Sequence, residues 1–217
     1  MIKILSDQER SRLDQLIAEA EKRTNTQIVL AVIKRSDDYA ELPWKAFALS
    51  ASVAGLFVAI LDFILNYWVS STTVLIAAVV MLSTGAAFAL LTIFIPGFAR
   101  IFLSAHRAEV EVKQYAESLF LNRELFATSK RIGILLLVSL FERQVILLPD
   151  KGLSSRLTTN AMHDIIACMT QPLVHHELNR SLENGLEELS KALELTTQGP
   201  GNIENELSDQ IIEERGV

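Results

Sequence analysis

The sequence predicts an α/β fold: a small mixed sheet with helices on both faces, interrupted by a two-helix transmembrane hairpin. Three observations carry this expectation. Between Ala46 and Phe98 the only acid or base is Asp62. Gln27 to Ile33 and Ile132 to Ser139 are aliphatic runs of strand length, rich in Val, Ile and Leu. Amphipathic helical patterns with polar ends surround these runs.

Half of the 217 residues are hydrophobic although 21% are charged, so the apolar residues must be concentrated in places. Ser6-Asp7-Gln8-Glu9 reads as a capping box, with Ser6 at the N-cap and Glu9 three positions on. Leu13, Leu16, Ile17 and Ala20 then follow at helical spacing, which predicts a helix from Asp7 to Lys22. The first strand is expected over Gln27 to Ile33, with a polar loop from Lys34 to Tyr39.

Trp44 and Lys45 open the first expected span, from Ala46 to Trp68. At 1.5 Å per residue it is about 35 Å long, enough to cross a hydrocarbon core of ~30 Å. Asn66 to Thr72 is read as an uncharged turn, and the second span runs from Thr73 to Phe98. Trp44, Tyr67 and Trp68 sit where interfacial aromatics belong, and Pro96-Gly97 should break the second helix. A buried hairpin in a soluble core would need a far larger shell than this chain supplies. Lys34, Arg35, Lys45, Arg100 and Arg107 flank the spans on the side of both termini, whereas the turn has no basic residue. That asymmetry places both termini in the cytoplasm and the turn outside, in the inner (plasma) membrane of a cell.

After the spans, an amphipathic helix is expected from Ser104 to Arg123, then a strand from Ile132 to Ser139 and a hairpin partner from Gln144 to Leu148. Ser154 or Ser155 is read as the cap of a helix reaching Met169, and a last helix spans Val174 to Leu195. The organisation is therefore 1–43 and 100–195 as two parts of one α/β domain, 44–99 as the hairpin, and 196–217 as an acidic flexible tail. Because a hairpin of two spans returns the chain to the side it left, the two parts can share a sheet. The first and second strands, joined by a helical crossover, should be parallel, and the third antiparallel.

The net charge of −6 gives no case for a nucleic-acid partner. The single cysteine, Cys168, excludes an intrachain disulfide and lies five residues from His163 without an activating base. His175-His176-Glu177 lacks the four-residue spacing of a helical zinc site. No P-loop, dinucleotide fingerprint or Gly-x-Ser-x-Gly is present.

Four constellations are candidates. Lys130, Arg131 and Lys151, beside a helix N-terminus at Ser154, can hold a phosphate or carboxylate; the plainer reading is solvated loop charge. Asp150 can balance those cations or serve as a ligand, but one carboxylate makes a poor metal site. Asp37 and Asp38 can bind a cation or simply shape a turn. Asp62 lies within a span, where a charged acid costs several kcal/mol, so it must be neutral, reach the interface or face another helix; a proton or ion site is the functional alternative.

The order of Leu5-Ser6-Asp7-Gln8-Glu9, Arg23-Thr24-Asn25-Thr26-Gln27-Ile28-Val29, Lys130 to Ser139, Glu142-Arg143-Gln144-Val145 and Asp150-Lys151-Gly152-Leu153 resembles the TPM domain family of thylakoid lumen and photosystem repair proteins. The inserted hairpin and Leu140-Phe141-Glu142-Arg143 resemble a bacterial subgroup with a Leu-Ala-Glu-Arg turn. The resemblance implies an α/β/α sandwich. It also implies roles in assembly or repair of membrane complexes, or acid phosphatase activity as in plant members. Many members carry Asp-Asn-Gly before the second strand, suited to a divalent cation (Ca or Mg). Here that position reads Arg131-Ile132-Gly133, a guanidinium in place of a carboxylate.

The expectation is thus a membrane-anchored interaction module that assists assembly, stability or turnover of membrane proteins, with no required cofactor. Its expected partners are the lipid bilayer, other membrane proteins and a homo-oligomer. One alternative is a phosphatase with Asp150 and Arg131 as catalytic candidates. The other is an oligomeric ion or proton pathway through Asp62.

Overall fold

The aliphatic runs form the middle of a four-stranded mixed sheet. A computed structural model describes residues 4–65, 71–128, 130–153, 155–194 and 211–216. In chain order the elements are α1 (Asp7–Thr24), β1 (Gln27–Arg35), α2 (Glu41–Leu65), α3 (Ser71–Phe94), α4 (Pro96–Ala99), α5 (Ala105–Asn122), β2 (Gly133–Ser139), β3 (Gln144–Pro149), α6 (Thr159–Val174), α7 (Leu178–Glu194) and β4 (Ile212–Gly216). The chain divides into two units, Met1–Asp37 with Ala108–Val217, and Asp38–Arg107.

In the first unit the strand order is β3-β2-β1-β4. β1 and β2 are parallel, with Gln27 opposite Gly133 and Ile33 opposite Ser139. β2 and β3 form the expected antiparallel hairpin, with Ser139 opposite Gln144. All seven residues of β2 and the first seven of β1 are buried, because helices cover both faces and leave no side for water. Alternate residues face opposite ways: Leu30, Val32, Ile134 and Leu136 pack with Leu13 and Ile17 of α1 and with α6 and α7. Ala31, Ile33, Leu135 and Leu137 pack with Val112, Ala116 and Leu119 of α5. This is a three-layer α/β/α arrangement.

α1 begins at the capping box as expected: Ser6 Oγ accepts from the Glu9 N–H, and the Glu9 carboxylate accepts from the Ser6 N–H. The last two helices differ from expectation. α6 starts at Thr159 and is capped by Thr158, whose hydroxyl accepts from the Ala161 N–H, and not by Ser154 or Ser155. A short 3-10 turn over Lys151–Leu153 and a bend bury Leu153 and Leu157 first, and only then does the helix begin. α6 also runs through Pro172 to Val174. Burial of Leu173 and the two N–H groups of His175 and Glu177 that donate to the Pro172 carbonyl offset the missing proline donor.

The largest correction concerns the tail. Ile212–Gly216 is not free but forms β4, parallel to β1, with Ala31 opposite Ile212 and Arg35 opposite Gly216. Residues 196–210 lie outside the described residues. Gly216 is required where it stands: its φ is +79°, and a Cβ there would lie 1.5 Å from the Arg35 carbonyl oxygen.

The second unit is a pair of long helices followed by α4 and a 3-10 turn over Arg100–Phe102. α2 begins at Glu41, five residues before the expected start, after the Leu42 N–H donates to the Tyr39 carbonyl. α3 ends at Phe94; Ile95 is extended, the conformation favoured before a proline, and Pro96 opens α4. Both long helices have the length and apolarity to cross a membrane. They pack on each other closely: a Cβ on Gly85 would meet the Phe47 ring at 2.7 Å, and one on Gly55 would meet Met81 at 2.8 Å. In α2 only Leu42, Ala46 and Ser50 are buried, and in α3 only Gly85 and Thr92. Tyr67, Trp68 and the first residues of the expected turn lie outside the described residues; Ser71 and Thr72 are already helical.

Candidate functional site

Arg131, Asp150 and the Lys151 backbone meet at one corner, which is built by backbone turns. The Thr128 hydroxyl accepts from the Ile132 N–H at 3.0 Å, and the Arg131 N–H donates to the Thr128 carbonyl at 3.0 Å. Across from this turn, the Asp150 N–H donates to the Gly133 carbonyl and the Gly152 N–H to the Arg131 carbonyl, both at 2.9 Å. Gly152 permits that approach, since a Cβ would fall 2.4 Å from the Arg131 oxygen and 2.5 Å from the Lys130 oxygen.

The side chains close the corner from within. Arg131 Nε donates to Asp150 Oδ2 at 2.7 Å and Arg131 Nη2 to Asp150 Oδ1 at 2.8 Å, a two-pronged ion pair. The Lys151 N–H adds a third donor to Oδ1 at 2.7 Å. The guanidinium carbon also lies 5.9 Å from the centre of the Phe126 ring. Arg131 adopts φ +56°, a left-handed conformation uncommon for a side chain of this kind, so these contacts hold a backbone that arginine does not favour. Asp150 is only 4% exposed. Burial pushes its carboxyl up, but the Arg131 fork, the Lys151 N–H and the two cations outweigh that and hold it below the usual aspartate value.

The donor set here does not fit a divalent cation. It offers one carboxylate, both of whose oxygens already accept from a guanidinium, and hard cations need several oxygen ligands. Among the described residues no three His, Cys, Asp or Glu side chains converge. Lys130 and Lys151 are exposed. Ser154 lies outside the described residues, and the helix that it was expected to cap begins at Thr159, so no long helix opens onto the corner at that serine.

At the other end of the sheet a second acid is buried that the sequence reading passed over. The Glu142 carboxylate accepts from the Ser36 N–H at 2.9 Å, from Ser36 Oγ at 2.7 Å and from Ser139 Oγ. It joins the β2–β3 turn to the segment leaving β1, 106 residues away in sequence. Asp37, which follows Ser36 in the chain, is half-buried and Asp38 is exposed.

β4 brings two further acids into play. The Glu213 carboxylate accepts from the Ile4 N–H at 2.6 Å, and Arg10 lies 3.8 Å from it. On the opposite face Glu214 accepts from the Tyr115 hydroxyl at 2.6 Å and pairs with Arg123 at 3.1 Å. Burial, together with the Glu214 carboxylate, pushes the Tyr115 hydroxyl well above its ordinary value. Adjacent glutamates in an acidic stretch carry no period-two pattern, so the sequence offered no signal for this strand. Arg156 was also missed: its Nη2 donates to the Thr24 carbonyl at 2.6 Å and the Leu193 carbonyl at 3.3 Å, tying together the C-terminal ends of α1 and α7.

The remaining candidates are scattered. Asp62 is half-buried within α2, three residues before Leu65. His175 and His176 occupy the turn after α6, where His176 Nε2 lies 3.1 Å from Arg143 Nη2. Cys168 is half-buried and its thiol donates to the Ile165 carbonyl; burial raises it above the ordinary thiol value, the reverse of an activated nucleophile.

Comparison with known proteins finds a family match and a fold similarity. The TPM domain model matches residues 99–192, which include the β2–β3 hairpin and the Arg131–Asp150 corner. Among solved structures, the chain is similar in fold to the BA42 protein from the psychrophilic bacterium Bizionia argentinensis, at 13% identity and a TM-score of 0.58, over 98% of this chain and 97% of that one. No curated protein matches the chain.

Proposed function

We propose, from the match of residues 99–192 to the TPM domain model, that this chain is a membrane-anchored interaction module assisting the assembly, stability or turnover of membrane proteins. The observation that carries the reading is the closed corner: where the family resemblance implies an acidic cation site, this chain sets Arg131 and ties it to Asp150 with two hydrogen bonds. A carboxylate so engaged is a weak general base and a weak metal ligand, which favours a scaffold over a hydrolase.

The membrane half of the proposal rests on α2 and α3. They are 25 and 24 residues long and apolar, and three of their hydroxyls bond to carbonyls of their own helix. Ser50 donates to the Ala46 carbonyl, Ser52 to Ala48 and Thr92 to Ala89, each at 2.7 Å. Such internal pairing is what hydrocarbon demands of a polar group. Trp44, 73% exposed near the start of α2, has the character of an interfacial anchor. The basic residues flanking the spans orient both termini toward the cytoplasm of the inner membrane, with bilayer lipid, other membrane proteins and a second copy of the chain as partners.

The test is affinity capture with the full chain from detergent-solubilised membranes, beside hydrolysis of a phosphomonoester by the same purified chain. The module reading expects reproducible integral membrane partners and no hydrolysis above background. Hydrolysis that disappears in both Asp150→Asn and Arg131→Ala would transfer the assignment to a phosphatase. Release of the chain from membranes by alkaline carbonate would remove the anchor.

A further inference from the structure

We propose that the helix pair carries a slot for one acyl chain of an anionic phospholipid; this rests on the membrane reading above and specifies the lipid. A cavity of about 360 Å³ runs along α2 and α3 and reaches the turn after α4. That is the size range of small-ligand pockets, roughly 300–1,000 Å³. Ala46 and Ser50 lie at its bottom, 0% and 9% exposed, while Phe57 and Phe88 stand at its rim, 60% and 39% exposed. The Ser50 hydroxyl is spent on its own helix at 2.7 Å, so the bottom presents no unsatisfied polar atom from that side chain.

The shape favours an acyl chain over another helix. Helices associate in lipid where small side chains let two backbones approach. Here the small residues Ala46, Ser50 and Ala54 are recessed, and phenylalanine rings line the same cavity. Phe88, Phe98 and Phe102 form a run of edge-to-face contacts, with ring centres 5.8 and 5.4 Å apart, which stiffens one wall. A recess with small residues at its bottom and aromatic rings along its side suits a single flexible hydrocarbon chain better than a second helix.

Charge selects the headgroup. The end of the slot formed by Ala46, Phe98 and Phe102 adjoins Lys45 and Arg100 in the chain. Lys45 is exposed and only loosely paired, 3.8 Å from Glu41. Basic residues at the membrane surface attract anionic lipid, each by about fivefold in affinity.

The experiment uses the full chain in phosphatidylcholine vesicles that contain a small share of phosphatidylglycerol or phosphatidylcholine with a photoreactive acyl chain. The expected result is adducts concentrated on peptides containing Ala46 to Phe57 and Thr84 to Phe102, about five- to 25-fold more abundant with phosphatidylglycerol, for one or both cations acting. Ser50→Leu with Ala54→Leu should reduce those adducts to the level at Ile60 to Leu65. Lys45→Gln with Arg100→Gln, which leaves the slot intact, should abolish the headgroup preference while preserving the adduct positions. Labelling spread evenly over both helices, equal labelling by the two headgroups, or adducts displaced by a second copy of the chain would each overturn the slot. Even labelling in a chain that resists carbonate extraction sinks the slot alone; a chain that is extracted sinks the anchor as well.

Discussion

The β2–β3 hairpin ends in a buried acid at each extremity, and the two are held in opposite ways. Glu142 is surrounded by neutral donors, a backbone N–H and two serine hydroxyls. Asp150 is gripped by a cation, the Arg131 fork, and by one N–H. Glu142 joins segments 106 positions apart in sequence, whereas Asp150 joins positions 19 apart. The first therefore fastens the split fold together, and the second fastens a local corner. The difference teaches that a buried carboxylate is not in itself a sign of chemistry: what its oxygens accept decides whether it is available.

The comparison is most exposed to removal of Glu142. Glu142→Ala strands three buried donors and is expected to cost roughly 3 kcal/mol, read as a Tm lower by about 6–12 °C for the detergent-solubilised chain. A loss below about 1 kcal/mol would mean that the two acids do not differ as described. Asp150→Asn should cost about 2 kcal/mol, because the amide keeps one acceptor but faces a guanidinium with its amino group. Arg131→Ala should cost a similar amount, and Arg131→Gly about 1 kcal/mol less than Arg131→Ala, since glycine accepts the left-handed backbone at φ +56° without penalty.

A smaller effect tests the charge itself. Asp150 is held below its ordinary value in the folded chain, so its contribution is fully present above the unfolded aspartate value, about 3.9, and fades as pH falls below it through the folded value. The Tm gap between the parent chain and Asp150→Asn should stay constant from pH 7 to about 5 and narrow below about pH 4. Least of all should follow from Lys130→Ala or Lys151→Ala. Both side chains are exposed, and each change is expected within about 0.5 kcal/mol by the same melting measurement.

Much of the fold was legible because its signals are local. The capping box at Ser6 and Glu9, the aliphatic runs at Ile28 and Leu135, and the charge-free stretch around Asp62 each reflect a preference of the segment itself. The parallel pairing of β1 with β2 followed from chain direction, since the crossover helix was visible between them. β4 was not legible: Ile211 to Gly216 follows a Gly-Pro-rich stretch and carries Glu213, Glu214 and Arg215, a composition that reads as solvated. Its strand state depends on a free edge of β1 and on partners at Ile4, Tyr115 and Arg123, all distant in sequence. The candidate corner was half legible. Its residues were found, but a row of letters cannot tell whether Arg131 waits for an external anion or has turned inward to Asp150.

The sequence by itself determined two long apolar helices and the strand and helix periods on either side, because desolvation acts on each segment wherever it lies. The tertiary structure alone decided which charges neutralise each other and which edge receives the last strand. Those outcomes depend on distances of a few ångströms between residues that only the finished sheet brings together.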